Sequence, residues 1–286
     1  MELSDKVRDT FILGTANLGF AYGIGNSTEF RIENSAKVIE EAFRNKILKI
    51  DTAPDYGTAH KLISKYSSQS GLKITTKISS KVDFNEKSIL SHIQESLIKL
   101  NQKKVHTILF HDPIVTNKSN FNNVVNAILD SGMTSNVGVS VYEIGEILDA
   151  IENCPRISTF QVPENILDRR LRNNTELVNL YNSGIKFTVR SIFLQGLILM
   201  EPAVIPIKFR KYEELFKKMR RIALENEITL VDLCLNYAFS IPWMNNVLIS
   251  AATPTQLKEI INFDYRKLDF SKIPVLPIEI LDPRAW

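Results

Sequence analysis

Short β-branched runs alternate with longer amphipathic stretches along the whole chain, and this alternation limits the possible folds more than any other feature. The strand-like runs cover 11–15, 47–51, 73–77, 105–111, 134–140, 157–161, 186–190 and 246–249. Helical patterns fill 33–45, 58–66, 86–100, 120–131, 142–152 and 174–182. A longer pair follows at 211–226 and 230–240, and a last segment at 255–262. Strands that read as continuous apolar runs are buried on both faces, which implies a parallel sheet covered by helices. No Gly/Ser/Pro-rich linker and no low-complexity tract interrupts the series. Eight units without a break favour one closed barrel over two doubly wound domains. The expectation is therefore an α/β chain folded as a (β/α)8 TIM barrel, with residues 1–286 forming a single domain. A length of 286 residues, 44% of them hydrophobic, suits such a barrel.

Composition narrows the partners. The formal net charge is +3 and the basic residues are dispersed, whereas nucleic-acid binding usually needs a basic stripe or patch. Cys154 and Cys234 are the only cysteines; without a CxxC-type pair they read as reduced core thiols. The N-terminal stretch MELSDKVRDTF is charged and lacks the roughly 7–15 residue apolar run of a signal peptide. No segment approaches the ~18 apolar residues of a membrane span. These features predict a cytoplasmic protein that binds neither membrane nor nucleic acid.

Six of the strand-like runs end in a polar residue: Asp51, Lys77, His111, Ser140, Gln161 and Arg190. A barrel gathers its strand C-termini on one face, where active sites of this architecture lie. Any one of these residues could simply mark the chain leaving the core, but six together predict a site. In IDTAPDYG, Asp51 and Tyr56 sit five residues apart across a tight Pro/Gly loop. A carboxylate beside a buried ammonium keeps Lys77 charged, and that charge favours phenolate over a phenol of ordinary pKa near ~10. A tyrosine so placed can give a proton to a carbonyl oxygen. A neutral histidine can orient the carbonyl and donate to the developing alkoxide. His106 and His111 fall on opposite faces of one strand, so only one looks inward, and LFHDP at the strand end favours His111. His60 and His92 read as solvated helix residues. Asp51, His111 and Asp112 lack the HxH or HxxxH spacing of a metal site, and no metal is expected.

The IDTAPDYG segment, the strand-end Lys77 and the strand-end His111 together resemble the Asp-Tyr-Lys-His tetrad of the aldo-keto reductase family. The likeness extends over nearly the whole chain. GTAN resembles the family's turn beneath the nicotinamide, which involves Gly14, Thr15 and Ala16. VGVSVYE and FQVPENILDRR resemble the segments whose serine and glutamine, here Ser140 and Gln161, hold the carboxamide. RSIFLQGLIL resembles the loop over the cofactor's pyrophosphate, which implicates Arg190, Ser191, Phe193, Leu194 and Gly196. ATPTQL resembles the helix start at the adenosine end, which implicates Ser250, Thr253, Gln256 and Glu259. The resemblance implies an NAD(P)H-dependent oxidoreductase acting on a small aldehyde or ketone, as a monomer or weak homodimer. The YGIGN turn, the RSIFLQG loop and the terminal DPRAW resemble the branch encoded with surface-polysaccharide genes, which suggests a keto- or aldo-sugar.

The pattern departs from the family in several places. Arg190 stands where many members place an aromatic ring against the nicotinamide; a planar guanidinium can stack there as well. Ser250 replaces a usual glycine, Ala252 falls where a phosphate-binding Lys or Arg often occurs, and Ile260 replaces a frequent asparagine. A lost basic residue removes a charge-assisted contact to a 2′-phosphate worth ~1.5–3 kcal/mol. The choice between NADP and NAD is therefore open, and Lys258 is the nearest substitute. Two further readings stay in view: a nucleotide-binding sensor barrel with little turnover, and a cofactor-independent sugar lyase or isomerase. The long irregular stretch 191–210 is expected to act as a binding loop or lid.

Overall fold

The computed structural model describes residues 5–20, 23–24 and 32–282. Eight strands pair in parallel and in sequence order, and β8 closes back on β1. They are β1 (Phe11–Gly14), β2 (Lys49–Asp51), β3 (Lys73–Ile78), β4 (Val105–Phe110), β5 (Thr134–Ser140), β6 (Thr159–Pro163), β7 (Lys186–Arg190) and β8 (Asn246–Ile249). The helices that return the chain between strands are α1 (Ile32–Arg44), α2 (Ala59–Ser64), α3 (Glu86–Leu100), α4 (Phe121–Asp130), α5 (Ile144–Asn153) and α6 (Thr175–Asn182). α7 (Glu213–Glu225) and α8 (Leu230–Phe239) precede β8, and α9 (Pro254–Ile261) follows it. This is the (β/α)8 barrel that the alternation predicts.

Local chemistry sets the helix ends. Asn85 caps α3 by accepting from the Ser88 amide, and Asn101 ends it in the left-handed conformation, φ 53°. Thr229 and Asp232 form a capping box at α8. Thr253 caps α9 just ahead of Pro254, which suits the first helical turn. In β5, Gly138 allows close approach to β6: a Cβ there would lie 2.0 Å from the Thr159 carbonyl oxygen.

Several sequence expectations need adjustment. β2 begins at Lys49 and β6 is shifted to Thr159–Pro163, because Ile47 and Ile157 are buried in the approach to each strand without joining its ladder. His60 is not solvated: it is buried on the inner face of α2 and contacts Thr76 Oγ1 at 3.3 Å. Burial, then the charges of Lys99 and His92, lower its pKa to about 4. His92 is half-buried and accepts from the Ser79 amide at 3.4 Å. The stretch 191–210 is built of short 3-10 turns at Leu194–Leu199, Pro202–Val204 and Ile207–Tyr212. Tyr22, Gly25 and Asn26 of YGIGN, and residues 283–286 of DPRAW, lie outside the described residues. Both cysteines are buried and free. Among the described residues no helix is long and apolar enough to cross a membrane, and no group of three or more His, Cys, Asp or Glu could hold a metal ion.

Candidate active site

A cavity of about 620 Å³ opens at the C-terminal ends of the strands, and all six polar strand-end residues line it. At its floor Lys77 and Asp51 form an ion pair, each side chain 2% exposed. Gln161 Nε2 donates to the second Asp51 oxygen at 2.7 Å. Lys77 Nζ also donates to Tyr56 Oη at 3.3 Å, so one ammonium bridges carboxylate and phenol. Burial pulls the Lys77 pKa down, but Asp51 and then Tyr56 outweigh it and leave it above its ordinary value. Lys77 therefore stays a cation.

His111 follows directly after β4, its amide held by the Ile78 carbonyl at 3.3 Å. Its ring meets the Tyr56 ring edge-on, with centroids 6.3 Å apart. Burial and then the Lys77 charge lower its pKa, so it is neutral at neutral pH. Phenol, ammonium and neutral imidazole thus share one surface of the cavity. Thr15, at the end of β1, uses both its amide and its hydroxyl on the Asp51 carbonyl, each at 3.0 Å, which ties the first strand to the second.

Ser140 and Gln161 lie opposite one another in the β5–β6 register. Gln161 spends its amide nitrogen on Asp51, and among the described residues no hydrogen bond to its Oε1 or to Ser140 Oγ is present. An adjacent hydroxyl and amide oxygen suit a ligand carboxamide, which brings one acceptor and one donor. The Arg190 guanidinium packs over the Tyr142 ring at 4.4 Å and donates to the Val141 carbonyl at 3.2 Å. Beyond it, Ser191 (φ 62°), Leu194 (φ 47°), Gln195 (φ 53°) and Gly196 (φ 88°) are left-handed. Such backbone persists where the surroundings impose it, commonly at ligand sites. The donor and acceptor set and this contorted wall fit a nicotinamide dinucleotide.

Of the remaining residues expected at the site, Gly14, Ala16, Phe193, Ser250, Gln256 and Glu259 line the cavity. Leu194 does not: its side chain is wholly buried beneath the loop. Thr253 does not either, since its hydroxyl caps α9 by accepting from the Gln256 amide at 3.2 Å. Several lining residues escaped the sequence reading. Asn17 and Tyr142 sit inside quoted motifs, so their motifs carried a usable signal. Glu201 and Arg220 had none beyond the unusual length of the 191–210 stretch.

The model of the aldo/keto reductase family matches residues 10–274, and the chain belongs to that family. Membership makes it an oxidoreductase of carbonyl groups in small molecules, in a family that generally uses NAD(P)H. Among solved structures, the glycerol dehydrogenase of Gluconobacter oxydans is 17% identical, with 91% of this chain and 88% of that one aligned and a TM-score of 0.69. A thermostable aldo-keto reductase in complex with the inhibitor epalrestat is 20% identical over 88% of both chains, with a TM-score of 0.68. No curated protein sequence matches the chain.

Proposed function

We propose that this chain reduces an aldehyde or ketone with a nicotinamide cofactor, and that Tyr56 delivers the proton. The observation that carries the reading is the bridge in the cavity from the buried Asp51–Lys77 pair to Oη of the half-buried Tyr56. A bound reduced nicotinamide supplies the hydride to the carbonyl carbon. Tyr56 holds the proton destined for the carbonyl oxygen, and the Lys77 ammonium stabilises the negative charge left on Oη. Asp51 holds that ammonium in place and is itself steadied by Gln161. Neutral His111 orients the carbonyl by donating a ring N–H to its oxygen.

In this reading Ser140 and Gln161 would hold the carboxamide, and Arg190, backed by Tyr142, with Gly14, Thr15 and Ala16, would hold the nicotinamide end. The 191–196 loop, including Leu194, would hold the pyrophosphate, and the residues after β8 would hold the adenosine. The cavity lining includes the polar side chains of Asn17, Tyr142 and Gln195, which suits a hydroxylated substrate, so keto- and aldo-sugars are the first class to assay.

Replacing Tyr56 by Phe tests the assignment. General acid catalysis is worth roughly 10²–10⁴-fold, so Tyr56→Phe should lose reduction by at least about a hundredfold while its affinity for the nucleotide stays unchanged. Turnover retained at the wild-type level would refute the role of Tyr56.

A further inference from the structure

Units seven and eight of the barrel build the outer part of the cavity wall. Leu199, Met200, Glu201 and Arg220 come from the first, and Ser250, Ala252, Gln256 and Glu259 from the second. In barrels of this kind the loops after strands seven and eight are where phosphate groups are commonly bound. The charges found here are the wrong ones for an additional phosphate.

Ala252 offers only a methyl group, and its amide is already given to Gln256 Oε1 at 2.8 Å. Ile260 is apolar and almost fully buried. Lys258, the lysine nearest in sequence, turns away toward Glu41 at 3.8 Å and does not line the cavity. Arg220 is committed elsewhere: Nη2 donates to the carbonyls of Leu199 at 3.0 Å and Met200 at 2.6 Å. Its side chain lines the cavity and is 24% exposed, and the guanidinium is anchored through Nη2 while its buried Nη1 has no partner. Against Arg220, itself 3.6 Å from Glu201, stand two carboxylates in this outer part of the wall, Glu201 and Glu259, both exposed and lining the cavity.

From these charges we infer that the site selects NAD(H) over NADP(H), the carboxylates of Glu201 and Glu259 accepting hydrogen bonds from the adenosine ribose hydroxyls. A ribose diol gives two O–H donors to a carboxylate, the same device by which an acidic residue reads the 2′-hydroxyl in other dinucleotide folds. A 2′-phosphate carries about −1.5 to −2 charges near neutral pH and would face those carboxylates. Arg220 serves as a strap that fixes the backbone at 199–200. The inference rests on the reductase reading, because it presumes a nicotinamide nucleotide in this cavity.

The test is equilibrium titration of the intact protein with NADH, NADPH, ADP-ribose and 2′-phospho-ADP-ribose. NADH should bind at least about tenfold more tightly than NADPH, and ADP-ribose should outbind its 2′-phosphorylated form. Glu201→Gln and Glu259→Gln should narrow the gap, and Ala252→Arg should narrow it further by strengthening NADPH. NADPH binding as tightly as NADH, or more so, would overturn the inference. Loss of that NADPH affinity in Arg220→Met would then assign the phosphate to Arg220. Failure of both dinucleotides to bind would overturn the reductase reading itself, and this inference with it.

Discussion

Glu164 shows how much a single buried side chain can carry outside the reacting groups. It follows β6, is fully buried, receives the Tyr237 hydroxyl and accepts from the Leu171 amide at 3.3 Å. Burial raises its pKa to about 8 against the opposing pull of Tyr237, and the Tyr237 phenol is itself pushed up by burial and by Glu164. An unfolded chain loses that proton near 4.5, whereas the folded chain keeps it to about 8. Over that interval the native state binds more protons than the unfolded one, so stability falls as pH rises. Glu164→Gln has no proton to lose and should show a flatter dependence. Urea midpoints at pH 5 and pH 8 check this; parallel curves for the two proteins would contradict it. The six polar residues Asp51, Lys77, His111, Ser140, Gln161 and Arg190 that line the cavity were readable because each stands at or beside a strand end, where the chain must leave the core. Glu164 and His60 were not. Their burial depends on which face of a neighbouring element closes over them: α8 in one case, Thr76 on β3 in the other.

The turn Ala16–Gly19 and the loop that bears Tyr56 meet at a contact with no room for a side chain. A Cβ on Gly19 would fall 1.8 Å from the Tyr56 carbonyl oxygen and 2.8 Å from its carbon. The facing Gly57 is left-handed at φ 53° and would collide with the Gly19 oxygen at 2.5 Å. These two glycines set where Tyr56 stands above Lys77. Gly19→Ala should displace that loop and lower turnover by on the order of a hundredfold, the usual cost of a small misplacement of a catalytic group. Steady-state kinetics beside a thermal melt separates displacement from unfolding; a folded variant with full activity would dismiss the contact as incidental. Helix and strand positions came from hydrophobic periodicity to within about two residues at most ends, because one buried face per element fixes the pattern. The 191–210 stretch gave only its length away. Its left-handed residues follow from contacts made in three dimensions, such as the Ile24 amide on the Gln195 carbonyl at 3.1 Å, and periodicity carries no trace of them.

At the scale of the whole molecule, closing eight strands brings residues from 14 to 260 around one cavity. Asp51 and Gln161 lie 110 residues apart and share a hydrogen bond of 2.7 Å. That convergence could be anticipated because a barrel has one C-terminal face, so the order of the strands already fixes which residues can meet. Glu201 and Arg220 of the outer wall could not be, since the stretch after β7 and helix α7 bring them there by tertiary packing alone. Hydride transfer in this cavity from a nicotinamide to a carbonyl carbon is tested by incubating the protein with a panel of aldehydes, ketones and sugars and NADH carrying deuterium at both C4 positions, followed by mass spectrometry of the products. Wild-type protein should form an alcohol with one deuterium on the former carbonyl carbon, and Tyr56→Phe should not. Product that forms without label, or in the absence of any nucleotide, would contradict hydride transfer.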